Sequence, residues 1–183
     1  MAIIRRIRFT PSGNMSPGDI ALIDTPEKLL KFAEDQGLNP IPLDVKGVAE
    51  KLGICIEYVT PERDLSGILY KDKENNSWVL HVNKEHHPNR QRYTIAHELG
   101  HFCLHRHLST VFEDKLFFRG GEPDKPEWQA NEFASAILMP EQKFRDRIRS
   151  GVRNVEELAK EFRVSTLALR IRAKNLGIFG HGL

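Results

Sequence analysis

Residues 97–101 read His-Glu-Leu-Gly-His, two histidines four apart with a glutamate beside the first. Side chains four apart lie one above the other on a helix, so His97 and His101 can offer two imidazoles to one metal ion. Neutral imidazole suits zinc, although manganese or iron could use the same donors. Glu98 is placed to take the proton of a metal-bound water, which is the chemistry of metal-assisted hydrolysis. At about 100° per residue from His97, His101 falls near 40° and Glu98 near 100°. Ile95, Ala96, Leu99, Phe102 and Cys103 cluster near about 200° on the same scale, so one face can hold metal while the opposite face packs into a core.

A catalytic zinc needs a third protein ligand and an open position. His105 shares the metal face but lies about 12 Å along the axis from His97, too far for all three histidines to bind one ion. It is therefore read as a residue behind the ligands, a substrate contact or a helix-end histidine. The other candidates lie on a helix expected at about 126–139, within EWQANEFASAILMP. There Ala130, Phe133, Ala134, Ile137 and Leu138 form the buried stripe. Glu127 lies about 50° from its centre and Glu132 about 170° away. Glu127 is thus the candidate able to turn inward to a metal, and Glu132 is expected to face solvent. Asn131, one turn after Glu127, can hydrogen-bond a ligating histidine from behind. Tyr93 and His105 are candidates for a second donor to the oxyanion of a peptide being cut.

These residues need elements to position them. Thr25 as N-cap, Pro26 at the first helical position and Gly37 past the end predict a helix. A second is expected over 43–52. Residues 54–59 (ICIEYV) read as a strand, and 65–71 with 77–83 as an antiparallel hairpin. After Pro88 the pattern is helical to about residue 106. Residues 107–125 read as a loop whose Phe112, Leu116, Phe117 and Phe118 pack on the body or form a flap hinged at Gly120-Gly121. Helices at about 126–139, 141–149, 154–163 and 165–176 follow. The order predicts an α+β fold with a small, mainly antiparallel three-stranded sheet, an HExxH active-site helix and a helical C-terminal part. One domain over 1–183 is expected: an irregular segment 1–24, sheet and metal site over 25–140, and the helical part 141–183. An extended substrate could pair with an exposed edge of the hairpin sheet.

RQRYTIAHELGHFCLH, followed by EWQANEFASAILMP, resembles the ImmA/IrrE family of zinc metallopeptidases. The likeness extends through the hairpin ending at His81-Val82-Asn83 and the tail VEELAKEFRVSTLALRIRAKNLG, covering about residues 40–177. It implies a zincin-like α+β fold with one zinc per chain, held by His97, His101 and Glu127, with Glu98 as base. It further implies a cytoplasmic endopeptidase acting on a repressor-type regulator or antitoxin, in stress-response or toxin–antitoxin settings. A partner-binding role with little proteolysis competes with that activity.

Composition is ordinary for a soluble globular protein: 183 residues, 40% hydrophobic, 28% charged, formal net charge +2. No apolar run approaches the ~18 residues of a membrane span, and the N-terminus lacks the apolar stretch of a secretion signal. Two cysteines, Cys55 and Cys103, make no disulfide framework and are expected to be inert thiols, in keeping with a cytoplasmic protein. Charge is uneven: residues 141–183 hold 10 basic and 5 acidic side chains. Residues 154–176 also have a helix-turn-helix outline, with Asn154 and Ser165 as caps and Arg170, Arg172 and Lys174 on the second helix. A DNA-binding role through that segment is the third reading. His81, His86 and His87 lack ligand spacing and are expected at strand ends or the surface.

Overall fold

The computed structural model describes residue 20 and residues 22–61, 65–115, 124–152 and 154–180. In chain order these form α1 Pro26–Asp35, α2 Val45–Lys51, β1 Ile54–Val59, β2 Leu65–Lys71, β3 Trp78–Asn83, α3 Pro88–His105, β4 Val111–Lys115, α4 Lys125–Leu138, α5 Glu141–Arg149, α6 Val155–Phe162 and α7 Thr166–Asn175. The fold is α+β. Caps explain where the helices start. Thr25 accepts from the Lys28 amide at 3.3 Å with Pro26 following. Asp124 accepts from the Glu127 amide at 3.0 Å and opens α4. His87 does the same for α3, accepting from the Asn89 amide at 3.2 Å.

The sheet departs from the expectation. Among the described residues it has four strands, ordered β1-β3-β2-β4, rather than three. The additional strand, β4, comes from the segment read as a loop. Its five residues alternate: Phe112 and Asp114 turn inward while Val111 and Glu113 are exposed. So short a run between turn formers carries little signal, and its pairing with β2, Leu69 opposite Phe112, is set by partners far away in sequence. The β2–β3 hairpin is antiparallel as expected, with Leu69 opposite Leu80. β1, however, runs parallel to β3, so the sheet is mixed. Both edges of the hairpin are thereby covered, and the sheet's outer strands are β1 and β4. Leu116, Phe117, Phe118 and the Gly120-Gly121 hinge lie outside the described residues, as does most of the N-terminal segment.

α3 is the central element. It lies between the sheet and α4, and every residue from Thr94 to Cys103 is buried. Ile95, Leu99 and Phe102 meet a core that includes Leu69, Leu80 and Val82 of the sheet and Phe133, Ile137 and Leu138 of α4. The two helices cross at Gly100. A Cβ there would lie 3.0 Å from both Cα and O of Ala130. Replacing Gly100 with Ala gains about 1 kcal/mol of helix propensity. Overpacking at a backbone contact costs about 1–3 kcal/mol, so the net expectation is destabilisation. Thermal unfolding of Gly100→Ala should therefore begin several degrees earlier; an unchanged Tm would show that the crossing yields freely.

The C-terminal helices close one end of the body. Phe144 of α5 stacks on Phe162 of α6 with ring centroids 5.8 Å apart. Arg172 of α7 is buried and donates through Nε to the Met139 carbonyl at 3.2 Å. This takes Arg172 out of the set of basic side chains able to reach DNA. Among the described residues no helix is long and apolar enough to cross a membrane.

Candidate metal centre

The α3–α4 crossing brings His97, His101 and Glu127 together. His97 Nε2 and His101 Nε2 are 3.0 Å apart. Glu127 reaches both, with Oε2 at 3.3 Å from His97 and Oε1 at 3.2 Å from His101. Ligands about 2.1 Å from a tetrahedral zinc stand about 3.4 Å from one another, so the three donors have the spacing of one face of such a site. Glu127 is 37% exposed whereas both histidines are buried, which leaves an approach from solvent on the carboxylate side. His105 takes no part in the donor cluster.

The imidazoles are held from behind. Asn131 Oδ1 lies 2.9 Å from His97 Nδ1 and also accepts from the Tyr93 hydroxyl at 3.0 Å. An amide oxygen only accepts, so His97 Nδ1 carries hydrogen and the lone pair is left on Nε2, the nitrogen on the side of His101 and Glu127. A relay does the same for His101. His105 Nε2 faces Gln129 Oε1 at 3.2 Å and therefore donates to it. Burial holds the His105 imidazole below its ordinary pKa, in the neutral form. Its Nδ1 then accepts from His101 Nδ1 at 3.1 Å, leaving His101 Nε2 free. The Phe112 ring stacks on His101 with centroids 4.8 Å apart and fixes its remaining face.

Electrostatics favour positive charge at the centre. Burial works against a charged His97, but the hydrogen bond with Glu127 and the nearby Glu98 and Asp114 carboxylates overcome it and raise its pKa to about 9. Burial likewise opposes charge on Glu127, yet its hydrogen bonds with His101 and His97 hold it well below the ordinary carboxylate range. Glu98 beside them is fully buried, and among the described residues neither of its oxygens has a hydrogen-bond partner. Burial first, then Asp114 and Glu127, push its pKa up to about 8 against the pull of His97. A buried carboxylate without a partner is costly. Its position beside three convergent donors suits a group that handles protons at a metal. Soft nitrogens, one carboxylate and such a neighbour together fit a catalytic zinc.

Other residues fall as follows. Glu132 accepts from Asn175 Nδ2 at 3.0 Å, outside the donor cluster. Tyr93 spends its hydroxyl hydrogen on Asn131, which makes it a support for His97 rather than an oxyanion donor. His81 contacts Tyr70 and Glu57, and His86 contacts Asn83. Cys103 is buried, its thiol pushed up to about 12 by burial; both cysteines are free. Sequence reasoning missed Gln129, Asp114 and Thr94. Asp114 accepts from the Thr94 hydroxyl at 3.3 Å, next to Glu98 in sequence terms only through the fold. It also missed Gly67 of β2, where a Cβ would lie 2.5 Å from Thr94 Cγ2 and 3.7 Å from Glu98 Oε1. The strand passes this close to α3 because that residue has no side chain.

Replacing Asn131 with Ala leaves the His97 Nδ1 hydrogen and the Tyr93 hydroxyl without their acceptor. Zinc affinity should fall about 10–100-fold, the usual cost of losing a group that orients a ligand. Competition against a chromogenic chelator reads this directly, and an unchanged affinity would show that packing alone holds His97.

The profile of the peptidase family described as IrrE N-terminal-like domain matches residues 49–174, a span from α2 to α7 that contains all four residues of the centre. The chain is also 28% identical over 126 residues to metallopeptidase ImmA of Bacillus subtilis (strain 168), which covers 63% of this chain and 67% of that protein. A match over most of the chain, on the elements that carry the donor cluster, places this protein in the ImmA/IrrE family of metallopeptidases.

Proposed function

We propose that the protein is a zinc-dependent endopeptidase that hydrolyses a peptide bond in a cytoplasmic protein, a repressor-type regulator or antitoxin. The observation that carries this is the buried, partnerless Glu98 beside the convergent donors His97, His101 and Glu127. A site that only stored metal or shaped a surface would have no use for so costly a carboxylate.

His97, His101 and Glu127 would hold the zinc, which would supply Lewis acidity and lower the pKa of water from 15.7 towards about 7. Glu98 accepts the proton that the attacking water releases as its oxygen bonds to the carbonyl carbon. It then gives that proton to the amide nitrogen as the C–N bond breaks. Asn131 and His105 keep the ligating rings in one orientation throughout. β4 is an outer strand of the sheet, and its Phe112 packs on His101. An extended substrate paired with β4 would have its backbone beside the donor cluster.

The test is to incubate the zinc-loaded protein with a repressor-type regulator encoded beside it and to weigh the products by intact-mass spectrometry. Two fragments whose masses sum to that of the substrate plus one water, absent with chelator and restored by zinc, support the reading. A regulator that binds and stays intact would replace proteolysis with partner binding.

A further inference from the structure

We infer that the groove between α3, α4 and α7 docks an amphipathic helix of a protein partner, and that the polar face of this helix is acidic. The groove is a cleft of about 810 Å³. Tyr93, Met139 and Val164 line it inside, and Leu167 and Ile171 of α7 form its open wall. Those two large apolar side chains are 56% and 52% exposed and stand one helical turn apart. Such a pair beside an apolar cleft is the arrangement that receives helix side chains at three- and four-residue spacing.

Charge selects the occupant. At about 100° per residue, Leu167, Ile171, Arg170 and Lys174 share an arc of about 100° on α7, so the apolar wall is bordered by two cations. Both are exposed, and none of the ion pairs among the described residues involves either. Arg90 lines the opposite wall, over the Tyr93 ring at 6.0 Å. Glu132, the acidic residue of the lining, accepts from Asn175. Three cations, Arg90, Arg170 and Lys174, against the one carboxylate of Glu132 leave the rim net positive around an apolar centre, complementary to leucine-type anchors flanked by glutamate or aspartate. A row of phosphate contacts is poorly served here: Arg170 and Lys174 lie to one side of the exposed apolar pair Leu167 and Ile171, and Arg172 is buried. The groove also reaches Tyr93 and Asn131, so its occupant would sit against the groups that hold His97. The docking does not depend on hydrolysis; only the assignment of the bound helix to a substrate rests on the peptidase reading.

The probe is a fluorescein-labelled synthetic helix with leucines at i, i+3, i+4 and i+7 and glutamates flanking them. A copy with lysine for every glutamate and a random-sequence DNA duplex serve as comparisons. Anisotropy with the full chain should show saturable binding of the acidic helix and none of the lysine copy. Leu167→Asp with Ile171→Asp should weaken it by about tenfold or more, with zinc content and Tm unchanged. Arg170→Glu with Lys174→Glu should exchange the preference to the lysine copy. No saturable binding of the acidic helix, or binding that both double variants leave unaltered, overturns the proposal. DNA that displaces the helix and requires Arg170 and Lys174 also overturns it and makes this face a nucleic-acid surface. Because only binding is read, the groove stands or falls on this assay alone, and the peptidase reading stands or falls on the cleavage assay.

Discussion

Glu98→Gln is expected to keep zinc bound and lower turnover about 10²–10⁴-fold, the contribution of a positioned general base. The substitution preserves the shape of the side chain and removes only its ability to carry a proton. Glu98 points none of its oxygens at another protein group, so no hydrogen bond is lost with the charge. The three donors remain, which separates proton transfer from metal binding. Zinc analysis beside a cleavage assay makes the comparison. Equal metal content with turnover near that of wild type would remove Glu98 from the chemistry.

The same change should stabilise the protein in chelator. The Glu98 pKa of about 8 lies well above the ordinary 4.5 of a glutamate. A raised carboxylate means that the folded state keeps its proton while the unfolded state has released it. Stability is then fully present below the unfolded pKa and falls as pH rises through the folded one. Wild type in chelator should lose stability between about pH 4.5 and 8, by at most about 5 kcal/mol. His97, raised to about 9, extends the loss in the same direction at the upper end. The Gln variant should be flatter over the lower window and melt higher than wild type at pH 8. Parallel pH profiles would show that Glu98 is solvated after all.

Local signals made much of this arrangement legible. The His97–His101 spacing needs only helix geometry, and the caps at Thr25, Asn154 and Ser165 bond as their residue types predict. The turning angle along α4 distinguished Glu127 from Glu132, and the two do lie apart, one within the donor cluster and the other against Asn175. What escaped depends on partners distant in sequence. The parallel pairing of β1 with β3 leaves no trace in the strands' own alternation. β4 reads as loop until β2 supplies its partner. Gln129 gains a role only because His105 lies opposite it across the helix crossing. The largest difference concerns α3. Its periodicity predicts one buried face, yet the face bearing Thr94, His97 and His101 is buried as well. Polar residues conceal such burial from any pattern of hydrophobicity. What encloses them is β4, through Phe112 and Asp114, together with the donors Glu127 and Asn131 of α4.

Glu127→Ala is expected to abolish stoichiometric zinc binding, with a loss in affinity beyond the about 10–100-fold that follows removal of an orienting group. The carboxylate is the one anionic ligand in the set, and it bridges the two imidazoles at 3.3 and 3.2 Å. Without it, two neutral nitrogens remain, too few donors for a structural or catalytic zinc. The Asn131 and His105 supports would persist, so the histidines keep their direction and the loss belongs to the ligand itself. Glu132→Ala is the matched control. It removes a carboxylate from the same helix, one that bonds Asn175 and stands outside the donor cluster, and zinc content should be unchanged. Metal analysis of protein purified without added zinc reads both variants together. Zinc retained at one per chain in Glu127→Ala would mean that the third ligand lies elsewhere, and Asp114, buried beside Glu98 and facing α3 through Thr94, would be the next carboxylate to replace. Zinc lost from Glu127→Ala and kept in Glu132→Ala would tie the α3–α4 crossing, and with it the tight contact at Gly100, to the metal rather than to packing alone.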